Sequence, residues 1–266
     1  MASDPRPDPS TPLVVDDLSV VYGERQAVHH LSLTVRPGEV YGLLGSNGAG
    51  KSSTIKSIVG LVPPSTGRIS VFGWDAQREA LQVKVRIGYV PETSMLYEAL
   101  TPREFLEFVA SVRALPRTVA SERAESYAAA FRLGSELDEP IASLSMGTRQ
   151  KVLIIAAILH QPPLLVLDEP LHSLDPRAVR IMKELLGRYV AGTGRGVLFS
   201  THTMEVAQQL CHRVGILDHG LLRSEGSLAE LRERAARGDA TLEEVFLRLT
   251  REDEGLDDAV RAFEGT

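Results

Sequence analysis

A chain of 266 residues, 43% hydrophobic and 24% charged, is large enough for one big α/β domain or two modest ones around a sizeable core. A net charge of −6 without a long basic run gives no support for nucleic acid as a main partner, and one cysteine, Cys211, excludes internal disulfides. No apolar run approaches the roughly 20 residues that cross a bilayer, so no membrane span of the chain's own is expected.

The first twelve residues, MASDPRPDPSTP, lack the basic start and apolar core of a signal peptide. Their Pro and Asp content predicts a disordered leader, and a cytoplasmic location is expected. Residues 13–36 read as antiparallel strands, LVVDDLSVVYG and AVHHLSLTVRPGE, with Leu31, Leu33 and Val35 alternating. His29 and His30 are neighbours on a strand and point to opposite faces, so they cannot easily share a metal. Tyr22 ends the first strand, either as a strand-end aromatic or as a platform for a base.

Val40 to Leu44 is an apolar strand that breaks at Gly45 into a loop and passes through Lys51 and Ser52 into a helix. Ile55, Ile58 and Val59 fall at helical spacing and pack that helix back on the strand. The pattern is G-x-x-x-x-G-K-S, the phosphate-binding loop. Its run is Gly45, Ser46, Asn47, Gly48, Ala49, Gly50, Lys51, Ser52 and Ser53. Glycines let successive N–H groups curl around a phosphate, and the helix N-terminus adds partial positive charge. Lys51 can reach the terminal phosphates, and the Ser52 hydroxyl can ligate Mg²⁺.

LVPPSTGRISVFG is a Pro-Gly turn and a short strand with Ile69 and Val71 on one face; Trp74 reads as a packing residue. Val85 to Val90 reads as a strand closed by Pro91 and Glu92. From Thr101 to about Phe131 the pattern is helical, with Phe105, Phe108, Val109 and Val112 as its apolar stripe. Ser121 to Glu125 is its solvated face. Strand and helix then alternate. Gly147 to Leu159 is a helix with Val152, Ile155, Ala156 and Leu159 inward, and Leu164 to Leu167 is a central strand covered on both sides. Pro176 to Tyr189 is a helix, Val197 to Ser200 a strand, Met204 to Cys211 a helix, and Arg213 to Leu217 a strand. Two amphipathic helices, Leu228 to Arg234 and Leu242 to Leu249, precede a frayed acidic tail from Glu252 to Asp258. Cys211 reads as a small buried apolar residue.

LLVLDEP, Leu164 to Pro170, is an apolar strand ending in two carboxylates. Beside a phosphate loop, such a strand delivers Asp168 to Mg²⁺, and Glu169 can hold and deprotonate an attacking water. LSMGTRQK, Leu144 to Lys151, turns into a helix through Ser145. That serine reads as a helix cap, and an exposed helix N-terminus with a hydroxyl is also an anion site.

In chain order the motifs are Tyr22, the phosphate loop, YVPE at Tyr89–Glu92, LSMG at Leu144–Gly147, LLVLDEP, SLD at Ser173–Asp175 and STH at Ser200–His202. In that order the chain resembles the nucleotide-binding subunits of ATP-binding cassette (ABC) transporters over about residues 13–226. The resemblance implies an α/β fold: a P-loop NTPase core with a mainly parallel sheet, an N-terminal antiparallel β subdomain and an α-helical insert at about 93–143. Residues 1–12 and 227–266 would be leader and C-terminal extension. It further implies that two such domains pack head to tail around two ATP molecules, as a homodimer. One subunit supplies the phosphate loop, Asp168, Glu169 and His202; the partner supplies Ser145, Met146 and Gly147 against the γ-phosphate. Asp175 touches the partner's phosphate loop, and as a residue ahead of Pro176 it also reads as a helix cap. Mg²⁺ falls to Ser52, Asp168 and Glu92.

Three departures stand out. Glu92 replaces the family's usual Gln, Met146 and Thr148 replace Gly and Gln, and Leu171 and Ser173 differ from common forms. The expected function is the ATPase subunit of an ABC transporter, docked on a separate membrane permease at the cytoplasmic face of the membrane through the groove near Glu92 and the helical insert. The ending, SLAELRERA with LEEVFLRLT, looks like bacterial exporters of drug and antibiotic-resistance type and is too short for the regulatory domain of many sugar importers. A soluble ABC ATPase serving an assembly such as cofactor biogenesis is the alternative. A kinase or GTPase has no use for LSMG and STH.

Overall fold

The computed structural model describes residues 8–234 and 241–250. Two sheets stand against each other. The first is antiparallel, in the order β2 (Arg25–Val35), β1 (Leu13–Tyr22), β4 (Thr66–Val71) and β5 (Trp74–Asp75). The second orders β10 (Leu221–Gly226), β9 (Arg213–Asp218), β3 (Glu39–Leu44), β8 (Gly196–Thr201), β7 (Leu164–Asp168) and β6 (Ile87–Val90). It is parallel from β9 to β6, with β10 as an antiparallel edge. Every residue of β3, β7 and β8 is buried, as continuous apolar strands in the middle of a parallel sheet must be.

Helix α1 (Lys51–Ile58) follows β3, and Ile55 and Ile58 seat it beneath the antiparallel sheet with Leu13, Leu18 and Leu31. α2 (Ala80–Arg86) precedes β6. The helical insert is α3 (Pro102–Val112) and α4 (Arg117–Phe131), followed by single 3₁₀ turns at Ser135–Asp138 and Ile141–Ser143. α5 (Met146–Ile158) and α6 (Pro176–Val190) lie on the far side of the parallel sheet, where Val152, Ile155, Leu159, Met182 and Leu186 meet Leu165, Leu167 and Phe199. α7 (Met204–Leu210) links β8 to β9, and α8 (Leu228–Arg234) and α9 (Leu242–Thr250) close the described chain.

Several expectations need correction. Val85 and Arg86 belong to α2, so the strand expected from Val85 is only Ile87–Val90; an apolar run this short reads equally as helix or strand. The helical pattern of 101–131 is two helices, broken where Ala114 takes a left-handed φ of 53° and Pro116 follows. In α3 the buried face is Pro102, Phe105, Leu106 and Ala110, while Phe108 and Val112 are 45% and 67% exposed. Phe108 instead meets Tyr97 edge-on at the surface. β10 carries no alternating apolar pattern and was not expected; it pairs antiparallel with β9, and the ion pairs Arg213–Glu225 and Arg223–Asp218 tie the two strands. Of the leader, residues 1–7 lie outside the described residues. Thr11 and Pro12, expected to be disordered with it, accept a bond from the Phe72 amide. The acidic tail lies outside the described residues.

His29 and His30 share no site: the latter sits at a left-handed φ of 46° and bonds Asp17 at 2.8 Å. Trp74, half-buried, packs against the core of the antiparallel sheet, with the Arg86 guanidinium of α2 4.9 Å from its ring. Cys211, expected to be buried, is half-buried against the core, and desolvation of its thiol pushes its pKa up to about 12.

Candidate nucleotide site

The site is built where β3 ends. Gly50, at φ 109°, caps α1 with no side-chain bond to its first turn, which leaves that turn's N–H groups directed into the loop. A Cβ on Gly50 would lie 2.6 Å from the Ala27 carbonyl oxygen, so no other residue fits. Lys51 is buried at 6% exposure, and its ammonium donates to the carbonyls of Gly45 at 2.7 Å and Ser46 at 3.1 Å. Around it a pocket of about 460 Å³ is lined by Tyr22, Ser46–Ser53, Glu92 and Glu169, with Arg25 and Ala27 from β2. Tyr22, 44% exposed, stands on the wall of that pocket.

β7 and β8 deliver the acidic end. They pair in parallel with Asp168 opposite Ser200. The Ser200 hydroxyl donates to Asp168 Oδ1 at 2.6 Å and accepts from the Glu169 amide at 3.1 Å. Burial pushes the Asp168 carboxyl above its ordinary range, against the pull of Ser200. Its Oδ2 is buried and, among the described residues, has no hydrogen-bond partner. Glu169, at φ 47°, turns its carboxylate back so that Oε1 lies 2.9 Å from His202 Nδ1 and 3.6 Å from Lys51 Nζ. The Ser52 hydroxyl donates to Glu92 Oε2 at 3.1 Å. Burial, with Asp168 and Glu92 nearby, pushes the Tyr89 phenol up to about 12.

Ser145, Met146 and Gly147 lie outside this pocket, at the start of α5. Ser145 caps the helix by accepting from the Thr148 amide at 3.2 Å, and Met146 is 70% exposed. A Cβ on Gly147 would lie 2.6 Å from the Ser173 carbonyl oxygen. Asp175 caps α6 through the Ala178 amide at 2.8 Å and pairs with Lys151 at 2.7 Å. That Lys151 bond, followed by the Ala178 amide, holds the Asp175 carboxyl below the usual carboxylate range.

A family model described as "ABC transporter" matches residues 28–172. The chain is 37% identical over 243 residues to the ABC-type transporter ATP-binding protein EcsA of Bacillus subtilis, covering 91% of this chain and 98% of that one. It is 35% identical to the linearmycin resistance ATP-binding protein LnrL of the same organism, over 87% of this chain and 74% of that one. A solved ATP-binding subunit of an ABC transporter superposes with a TM-score of 0.85 at 36% identity, over 90% of this chain and 100% of that chain. The chain belongs to the ABC transporter ATP-binding subunits. It is therefore an ABC ATPase, and the relatives lend no support to a soluble assembly ATPase.

In this ABC subunit five residues make contacts that residue type and spacing do not announce. Arg25 and Ala27 enter the pocket from a strand with no motif. Ser200 ties the two carboxylates together. Gln150, buried, donates to the Pro170 carbonyl at 3.1 Å and joins α5 to the strand end that carries Glu169. Lys151 does the same for Asp175. STH and LSMG pointed at these segments, but only the fold supplies the partners. Among the described residues no cluster of three His, Cys, Asp or Glu could hold a metal. Mg²⁺ does not require one, since it is bound by one or two carboxylates together with substrate phosphates. The orphaned Asp168 Oδ2, with the Ser52 hydroxyl and Glu92 carboxylate, fits such a cation.

Proposed function

We propose that this subunit hydrolyses ATP as one of a pair, at the cytoplasmic face of a membrane, to drive a separate permease that exports its substrate. One observation carries the pairing: the phosphate loop, Glu169 and Tyr22 line one pocket, while Ser145 and Gly147 stand outside it at a capped, exposed helix start. A second copy, turned head to tail, would bring that turn over the γ-phosphate, so ATP joins the two subunits and its hydrolysis releases them.

In that reading Tyr22 stacks on the base, and the loop from Gly45 to Ser53 cradles the phosphates, with Lys51 neutralising the terminal ones. Glu169 takes the proton from the attacking water. His202, bonded to Glu169 Oε1, is held facing the γ-phosphate. Ser52, Asp168 and Glu92 hold Mg²⁺, which when bound neutralises charge on the β- and γ-phosphates. Asp175 meets the partner's phosphate loop as well as capping its own helix. The domain limits follow the motifs: leader 1–12, ATPase 13–226 with its insert at about 93–143, and extension 227–266.

The permease surface is the apolar groove of about 480 Å³ that includes Leu61, Leu81, Val85, Tyr89 and Val112, continued by exposed Met95, Tyr97 and Phe108 beyond Glu92. An exposed apolar stretch of this kind marks a partner site. Among the described residues no helix is long and apolar enough to cross a membrane. Export is supported by the linearmycin resistance in the name of LnrL and by the likeness of the SLAELRERA and LEEVFLRLT stretches to bacterial exporters.

Glu169→Gln tests the reading. Turnover falls by roughly 10²-fold or more with ATP still bound, and the variant elutes as a dimer on gel filtration with ATP and Mg²⁺. Near-normal hydrolysis by a species that stays monomeric would refute both the base and the pairing.

A further inference from the structure

The third apolar cluster joins segments far apart in sequence. Leu231 of α8 and Leu242, Val245 and Phe246 of α9 bury against Ala207 of α7, Val214 and Ile216 of β9, and Leu44, the last residue of β3. Leu44 immediately precedes the phosphate loop, and α7 begins two residues after His202. α8 and α9 therefore pack on the roots of both halves of the hydrolytic site.

α7 depends on that packing. It has seven residues, and Thr203 at its N-cap makes no side-chain cap bond. So short a helix is not stable by itself and takes its position from what covers it. It is covered by β3, β8, α6 and α9. The His202 side chain is 47% exposed, so packing around the imidazole does not fix it. On its N-terminal side His202 follows Thr201, the last residue of β8, paired with Leu44; on its C-terminal side it enters the turn into α7, where the Thr203 amide donates to Thr201 Oγ1 at 3.0 Å. What holds α7 therefore bears on His202 from its C-terminal side.

We infer that α9 is a positioning element for hydrolysis: Phe246 and Val245, through α7, keep His202 in register with Glu169. The inference rests on the catalytic roles proposed above for Glu169 and His202. Among the described residues the cluster reaches the phosphate loop at Leu44, the residue before it, which β8 and β9 also hold by backbone pairing. Loosening α9 should therefore reach the chemical step and spare nucleotide binding. A displacement of about 1 Å is enough to cost a catalytic group up to roughly 10²-fold.

The test is a mutant cycle on the full chain, with Phe246→Ala and His202→Ala alone and combined, reading kcat, ATP affinity and Tm. Phe246→Ala lowers kcat by roughly tenfold and leaves ATP affinity within about twofold. Phe246→Leu restores most of the rate. In the His202→Ala background Phe246→Ala costs no further rate, because its effect runs through that histidine. An unchanged kcat, a full further loss without His202, or a parallel loss of ATP affinity would each overturn the inference. Should Phe246→Ala fail to fold, the smaller truncation Val245→Ala carries the same cycle with the same outcomes. If the unmutated chain bound ATP without hydrolysing it, the proposed function would fall first and this inference with it.

Discussion

The phosphate loop and the signature turn both set a serine and glycines at a helix N-terminus, yet one is walled in and the other stands open. At the phosphate loop the lysine is buried, two backbone carbonyls and Glu169 face it, and Gly50 leaves no room for a side chain. At the signature turn Ser145 already serves as its own helix cap, and Met146 projects outward. A helix N-terminus lends partial charge in both places, but only burial turns that charge into a strong, preorganised interaction. In the reading proposed above, the first binds phosphate as it stands. In the same reading the second is a surface that becomes a binding site only when a second subunit covers it.

Lys51→Ala strikes the enclosed half and carries the largest effect. It removes the cation from a buried carboxylate and from the phosphates, so ATP affinity falls by roughly 10²-fold or more in calorimetry. An unchanged affinity would dissolve the contrast between the halves. Gly147→Ala strikes the open half. Its Cβ would meet the Ser173 carbonyl oxygen at 2.6 Å, so the turn must shift. Steady-state hydrolysis drops by about tenfold while ATP binding to the single subunit is unaffected, since the signature lies outside that pocket. Equal losses of binding and turnover would mean that the halves are not separate.

Smaller effects sharpen the same comparison. Asp175→Ala removes the α6 cap and the Lys151 ion pair at the loop facing Gly147. The cap is worth about 1 kcal/mol, which for a chain of this size lowers Tm by about 2–4 °C in calorimetry. The far end of α5 is held by His160, whose Nε2 lies 3.2 Å from the Ile87 carbonyl oxygen. Burial, with Arg113 nearby, lowers its pKa from 6.5 to about 4. The unfolded imidazole thus takes a proton where the folded one does not, so this group's contribution to stability falls as pH drops from 6.5 toward 4. His160→Gln should flatten denaturant midpoints across that window relative to the unmutated chain.

The two halves differed equally in how well they could be read in advance. The phosphate loop is a run of nine neighbours whose residue types state their chemistry, and β3 and α1 on either side follow from an apolar run and a helical spacing. LLVLD was legible for the same reason, since a strand buried on both faces must be apolar throughout. Val85 and Arg86 were not, because a few apolar residues beside a proline suit either element until α2 is seen packing against β6. Phe108 and Val112 were expected inside with Phe105; the helix buries a neighbouring stripe through Leu106 and Ala110 and leaves those two outside. Periodicity gives the existence of a face, and the neighbouring elements select which face it is.

Local order in the chain determined the motifs: which residues cradle phosphate, which strand ends in carboxylates, which serines cap helices. These need only neighbours along the backbone, so residue type and spacing suffice. The tertiary structure decided everything that depends on approach across the sheet: Ser200 on Asp168, Lys51 and His202 on one oxygen of Glu169, Gln150 on Pro170, and the seating of α9 against the helix that follows His202. Those contacts join residues tens to hundreds of positions apart. Their energies belong to burial and exclusion of water, which no stretch of sequence possesses until the chain has closed around it.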